Sequence, residues 1–452
     1  MNLSIIPALI LALGGPSSAA AAAPEVRMSL SSSVSSALAD APSLKAALAE
    51  AAAAASRADG RWGALWPRLS VESSYRFASE VPELSVLPGS SRALGDHHNY
   101  SLGPTLDWTV WDFSARRRAW QSAALSESSL SQEARSAARQ TRLRTRQAYF
   151  QAQLAVEQVR LLGDSLKLAQ SQHADVEKRR EAGASSRLDS LQAHQEVLLR
   201  LRQFRQARSD LAAALRDLYA LTGGQPKADL SLPLDGRMPQ PLPADIEPAS
   251  ASVLLDPLED SLKELSSAGA AVLDEAHPEL AALADAARSE RLAAGGVRSS
   301  LWPRLGVTAR TSLDYPNGPV LEDFHQNTVG VSASMPLFEF GRTRREAESH
   351  ERRAKAADER AEAARRSLDR DWWKAQDQLL GLKAQKELCL KAAAEAREAA
   401  GLTYESYKAG RVTFIEVQSA NLRELEALVQ TARTDAQTLM QLAVLASLSE
   451  KE

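Results

Sequence analysis

The sequence has one cysteine, few aromatic side chains and no long apolar run. Cys389 stands alone among 452 residues, which excludes an internal disulfide framework. Seven scattered histidines and this cysteine give no metal-ligand spacing, so we expect no metal site and no cofactor. The chain lacks a stretch of the ~20 apolar residues that a membrane-spanning helix needs, so a membrane-embedded form would have to use strands. A net charge of −3 provides no basic field for nucleic acid.

The remaining composition favours a helical protein over an enzyme. With 25% charged and 5% aromatic residues, the alanine-rich chain is typical of long helices. It contains no nucleophile elbow, phosphate loop, HExxH or paired-carboxylate motif. His97 and His98 fall in a predicted loop, where solvated side chains are expected. The sequence therefore predicts no catalytic residues.

Residues 1–23 are predicted to be a secretory signal peptide. A short apolar run, residues 5–13, precedes small residues at positions 19–23 that suit cleavage. The run has no Lys or Arg before it, which leaves a short apolar helix on a cytosolic protein as the alternative.

The chain repeats itself. The pentapeptide Leu-Trp-Pro-Arg-Leu occurs at residues 65–69 and again 236 positions later. Blocks at 108–118 and 182–193 match later blocks at an offset of 227. The pattern predicts a tandem duplication, with a first repeat at 24–222, a connector at 223–274 and a second repeat at 275–452.

Each repeat has the same predicted order of elements. An alanine-rich helix ends near glycine, at Gly60 and at Gly295–Gly296. A β-hairpin of alternating apolar and polar residues follows, and then a long helical hairpin with coiled-coil spacing. Pro104 is expected to disturb its strand. The hairpins are predicted at 68–108 and 304–336, with loops at 78–99 and 315–327, and the helical hairpins at 114–222 and 341–448.

Aromatic residues and then arginines follow the second strand of each repeat. This order is typical of a membrane–water boundary. An aromatic core under a small soluble sheet is the alternative interpretation. Four strands are too few to close a barrel in lipid, so several chains would have to share one. The predicted girdle consists of Trp108, Trp111, Phe113, Phe338 and Phe340.

These features resemble the TolC-like outer-membrane efflux family (outer membrane factors) over residues 40–448. The resemblance rests on the duplicated pentapeptide, the strand–aromatic–helix order and the Gly-x4-[Leu/Ile]-[Asp/Glu]-x3-Ala blocks at 183–193 and 410–420. It implies an α+β membrane protein with a long α-helical coiled-coil barrel. It also implies a homotrimer whose 12-stranded β-barrel takes four strands from each chain, with an equatorial region at 223–274.

The resemblance also implies a location and a function. The protein would lie in outer-membrane lipid and extend into the periplasm. There it would be the exit duct of a tripartite efflux pump or type I secretion system, docking a periplasmic adaptor (membrane fusion protein) and an inner-membrane transporter. A periplasmic coiled-coil adaptor or structural protein is the alternative, which the duplicated amphipathic hairpin disfavours.

Site residues follow by position from the family pattern. Glu416 matches the first acid of the periplasmic gate, and Ser419 occupies the second position, where it cannot ionise. Tyr407 and Asp189 match positions of the latch between helices, whereas the latch arginine falls at Val412, beside Arg411. The helix tips that would face the adaptor contain Gly183 and Gly410.

Overall fold

A computed structural model describes residues 26–87, 90–223, 253–266 and 272–449. The predicted signal peptide and most of the predicted connector lie outside these residues. In chain order the elements are β1 (Val26–Met28), α1 (Leu30–Asp40), α2 (Pro42–Gly63), β2 (Arg68–Phe77), β3 (Glu83–Leu87), β4 (Ser90–Ala93), β5 (His98–Trp111), α3 (Ala115–Glu181), α4 (Arg187–Thr222), β6 (Val253–Leu255), α5 (Leu258–Ser266), α6 (Pro278–Ser299), β7 (Arg304–Tyr315), β8 (Phe324–Ser334), α7 (Arg342–Lys408) and α8 (Phe414–Ser449).

Helix lengths repeat along the chain. Helices α2 and α6 have 22 residues each, α3 and α7 have 67, and α4 and α8 have 36. The prediction that α2 and α6 end at their glycines was wrong, since both helices continue past them. A Cβ on Gly296 would lie 3.3 Å from the Ala115 carbonyl oxygen, so this glycine lets α6 approach α3 closely.

The helical core lies along the seam between α3, α4 and α8. Helix α3 also packs against α2 and α6, and α7 packs against α6 and α8. The coiled-coil spacing predicted for the helical hairpins agrees with their buried residues, for example Val159 and Leu166 in α3 and Leu201 and Leu215 in α4. Alanines between them allow the helix axes to come close.

Four strands form one antiparallel sheet in the order β2-β5-β7-β8. The β5–β7 pair joins the two repeats, and β2 and β8 are the edge strands of the sheet. Several boundaries differ from prediction. The largest differences are that β5 continues to Trp111 and that β8 begins at Phe324. The segment 78–99 is also more than a loop, because β3 and β4 pair there as a separate hairpin.

The strand irregularity predicted at Pro104 is confirmed on one side. Pro104 pairs with Val71 of β2 without a shift in register. Toward β7, the pairing steps from Leu102 to Thr105 with no partners between them. Proline lacks the amide hydrogen needed there. The neighbouring Gly103 leaves no room for a side chain, since a Cβ would lie 2.0 Å from the Thr311 carbonyl oxygen.

The two faces of the sheet differ in polarity. Leu69, Val71, Val329 and Val331 are each more than 70% exposed on one face. Residues on the other face, such as Thr328 and Ser332, alternate with them along the strands. A sheet with a fully exposed apolar face needs another apolar medium or surface against it. Among the described residues, no helix is both long and apolar enough to cross a membrane.

Candidate functional site

Aromatic rings collect where the sheet meets the helices. Trp111 and Phe113 meet edge to face at 5.7 Å, and Phe113 stacks on Trp302 at 5.1 Å. Phe338 and Phe340 form a second pair at 4.4 Å. These rings are exposed on the single chain, with Phe340 at 91%. Their position at one end of the apolar sheet face fits a membrane–water boundary.

The predicted girdle omitted three tryptophans. Trp62 and Trp66 pack edge to face at 5.6 Å, and both are exposed. The Trp108 indole nitrogen donates a hydrogen bond to the Leu65 carbonyl oxygen at 3.3 Å, which brings this pair to the same junction. Trp302 is the third. The repeated pentapeptide contains Trp66 in its first copy and Trp302 in its second, so the repeat itself could have identified these two residues.

The strand-to-helix turn has the same backbone in both repeats. Phe113 and Ser114 have φ of 51° and 67°, and Phe340 and Gly341 have φ of 49° and 80°. Consecutive left-handed residues are rare for bulky side chains. In each repeat an acid beside the turn binds the helix start: Asp112 accepts from the Arg116 side chain at 2.8 Å, and Glu339 accepts from Thr343.

At the opposite end, each long helix turns back through a glycine. Gly183 and Gly410 have φ of 75° and 72°, the left-handed conformation that glycine adopts without strain. The returning helix then begins with an acid that caps it. Asp189 Oδ2 accepts from the Ser186 amide at 3.2 Å. Glu416 Oε2 accepts from the Thr413 amide at 2.8 Å.

The two hairpin tips pack against each other. Tyr407 is buried in a small cluster with Val176, Ala193, Phe414 and Val417. The Tyr407 hydroxyl lies 3.3 Å from Ser185 Oγ, and Ser185 Oγ donates to Asp189 Oδ2 at 3.1 Å. The two latch positions predicted from the sequence are thus joined through Ser185, a residue that the sequence did not single out.

Two further side chains, Tyr404 and Arg179, tie the hairpins together. The Tyr404 hydroxyl donates to Asp175 Oδ2 at 2.8 Å. Burial, reinforced by this hydrogen bond, raises the pKa of Tyr404, so the phenol remains a donor at every physiological pH. Arg179 lies over the Tyr407 ring, 5.4 Å from its centroid, and donates to the Lys408 carbonyl oxygen at 2.8 Å. Arg179 therefore places a cation beside Tyr407, whereas the position expected for the latch arginine holds Val412.

The predicted gate residues share one exposed face of α8. Glu416 and Ser419 line a groove with Thr403 of α7 and Arg423, one turn further along α8. Ser419 Oγ donates to the Ile415 carbonyl oxygen at 3.0 Å, within its own helix. Arg411 is exposed, and its backbone amide donates to the Ser406 carbonyl oxygen at 2.9 Å. Among the described residues of one chain, the hydrogen bonds of the Glu416 carboxylate are those that cap the helix, and the residue is exposed to solvent.

A family model described as outer membrane efflux protein matches residues 33–224 and 272–449. The chain belongs to this family. Alkaline protease secretion protein AprF of Pseudomonas aeruginosa is 30% identical over 292 residues, which cover 64% of this chain and 56% of AprF. The chain therefore matches little more than half of that relative's length.

Solved structures share the fold. The CmeC outer membrane channel of Campylobacter jejuni superposes with a TM-score of 0.74 at 14% identity, covering 93% of this chain and 85% of that one. The outer membrane protein VceC of Vibrio cholerae gives 0.73 at 16% identity, covering 93% and 96%. The predicted combination of long helices with a four-stranded sheet is confirmed.

Family membership gives the location of the protein. It lies in the outer membrane and extends into the periplasm.

Proposed function

We propose that three copies of this efflux-family chain close one continuous duct from the periplasm to the exterior. The observation that supports this most is the sheet: its apolar face is exposed, and its edge strands β2 and β8 have no outer neighbour among the described residues. Unpaired strand edges are not tolerated in hydrocarbon. Three sheets joined edge to edge, β8 of one chain to β2 of the next, give twelve strands and remove every edge.

The oligomeric state is the direct test. Protein extracted from outer membranes in mild detergent should have the native mass of three processed chains. A monomeric mass, or release of the protein by salt without detergent, would contradict the shared barrel and favour a periplasmic coiled-coil protein.

The duct works passively and docks its pump partners at the helix tips. A periplasmic adaptor and an inner-membrane transporter would supply the energy and select the substrate, so the chain needs neither a catalytic residue nor a cofactor. Leu188 and Ile415 support docking at the tips that contain Gly183 and Gly410: they occupy equivalent positions in the two repeats, and each is more than half exposed. Because AprF is an alkaline protease secretion protein, protein export is the first substrate class to examine.

Glu416 would form an acidic ring at the entrance. In a trimer, three exposed carboxylates at this position face one axis, and such rings favour cations. Because Glu416 also caps α8, the informative substitution is Glu416→Gln, which keeps a hydrogen-bond acceptor and removes the charge.

We expect Glu416→Gln to lower the cation-over-anion permeability ratio by roughly two- to fivefold, since one ring of charge is lost at a narrow site. The measurement is the reversal potential of single channels in a salt gradient across a planar bilayer. Arg423→Gln, in the same groove, is the control and should shift the ratio the other way or leave it unchanged. An unaltered ratio in Glu416→Gln would remove this residue from the pore.

A further inference from the structure

Two histidines face each other across the first helical hairpin. The rings of His173 in α3 and His194 in α4 have centroids 5.3 Å apart, with planes inclined by 50°. They lie ten residues before and eleven residues after Gly183 at the tip. The equivalent positions in the second repeat are Ala400 and Asn421, so the pair occurs in the first hairpin alone.

Few charges surround the pair. On α3, the Glu177 carboxylate lies 3.8 Å from His173 Nε2, but it also accepts hydrogen bonds from Ser190 of α4 and from Arg180. These hydrogen bonds, that from Ser190 first, lower the pKa of Glu177, so it stays ionised in mild acid. Its single negative charge is already shared with Arg180.

The second hairpin adds little charge on this side. Asn421 of α8 reaches α3 through its amide, which donates to the Gln172 side chain at 2.9 Å. Tyr404 of α7 binds the neighbouring Asp175 and stays neutral. Burial lowers the pKa of His173 most and His194 lowers it further, whereas Glu177 raises it.

We propose that the His173–His194 pair is an acid-sensitive switch that loosens the α3–α4 hairpin beside its tip when both imidazoles are protonated. Two cations at this separation repel each other beside the α3–α4 seam, where His173 is half-buried and His194 is exposed, and one shared carboxylate cannot neutralise both. Opening the hairpin hydrates the rings and separates the charges. The second hairpin carries no such pair, so acid would act on one half of each tip.

The direction of the pH dependence follows from the geometry. Partial burial and the neighbouring His194 lower the pKa of His173 below its ordinary value of 6.5. The closed hairpin thus binds this proton less readily than the open one. Its stability is complete above about pH 6.5 and falls as the pH drops through the lowered pKa. This transition in the hairpin does not depend on the trimeric duct, whereas its effect on conduction would.

Hydrogen–deuterium exchange of the full chain in lipid nanodiscs tests the proposal. Exchange rates at pH 7.5 and pH 5.0 are divided by the intrinsic chemical rate at each pH. We expect the segments around His173 and His194 to lose protection by roughly tenfold at pH 5.0, the size of repulsion expected for two charges in a partly solvated site. The segments around Ala400 and Asn421 are the internal control and should change by less than about twofold.

The variant His194→Gln keeps a polar side chain that cannot be protonated, and it should abolish the acid-dependent loss around His173. His173→Gln should do the same, and it replaces the first variant if that one fails to form the wild-type oligomer. Equal protection of wild type at both pH values would overturn the switch. So would a loss at pH 5.0 that persists in both variants.

Discussion

Replacing Val329 with arginine should abolish insertion of the protein into the outer membrane. Val329 lies at the centre of β8, on the apolar face, and is 76% exposed on the single chain. An arginine at the bilayer midplane on the lipid face of a barrel costs about 2–4 kcal/mol. Three chains sharing one barrel would pay this cost three times, which is comparable to the whole stability of a typical domain.

Membrane fractionation with quantitative immunoblotting measures the result. We expect at least a tenfold fall in outer-membrane protein for Val329→Arg, in line with the cost of a buried charge. Ser332→Arg is the matched control, because Ser332 is exposed on the same strand but on the opposite face, where it pairs with Gly306. It should insert normally. Equal insertion of both variants would mean that the exposed valines do not face lipid.

Local sequence patterns predict most of the helices and strands, because each of these elements depends on residues that are close in sequence. The alternation in β2 and β8 and the seam in α3 are periodic signals of this kind. The prediction failed where packing overrides local preference. Gly296 favours a helix end, yet it lies inside α6, where an added Cβ would lie 3.3 Å from the Ala115 carbonyl oxygen of α3. Its isolated propensity contains no information about α3.

The residues of the candidate site also fall into two groups: some can be identified from the sequence, and others are brought together only by the fold. Glu416 and Asp189 sit in blocks repeated within the chain, whereas Tyr407 lies just before one of them, and all three were candidates because they match positions of the family pattern. Asp175 and Tyr404 are 229 residues apart and form a hydrogen bond only because the two hairpins pack side by side. No periodicity in either helix marks them as partners. One retrospective signal is that Tyr404 and Tyr407, three residues apart, share a helix face.

The contacts between the hairpin tips lead to the second large prediction: the double variant Tyr404→Phe with Arg179→Gln should open the periplasmic entrance. Phenylalanine keeps the ring beside Tyr407 but loses the hydrogen bond to Asp175. Glutamine removes the cation from the Tyr407 face and the bond to the Lys408 carbonyl oxygen. Each lost hydrogen bond to a charged partner weakens the closed tip by about 1.5–3 kcal/mol.

Single-channel conductance in planar bilayers measures the opening. We expect the double variant to conduct several times more than wild type, since two such losses per chain shift the opening equilibrium by roughly a hundredfold or more. Each single variant should give an intermediate value, because the remaining contact still joins α7 to α3. The native mass must equal that of wild type, so that higher conductance reports an open tip and not a damaged barrel.

Gln418→Ala is the control for this prediction. It removes a neutral hydrogen bond between the hairpins, from the Gln418 amide to the Gln192 carbonyl oxygen at 3.1 Å, and leaves Tyr404 and Arg179 in place. If the control opens the channel as much as the double variant, the tip is held by many weak contacts. If neither changes the conductance, the hairpins of one chain are not what narrows the entrance, and the constriction must come from contacts between chains. Only an opening specific to the double variant assigns the closed state to the Tyr404–Asp175 and Arg179–Tyr407 contacts.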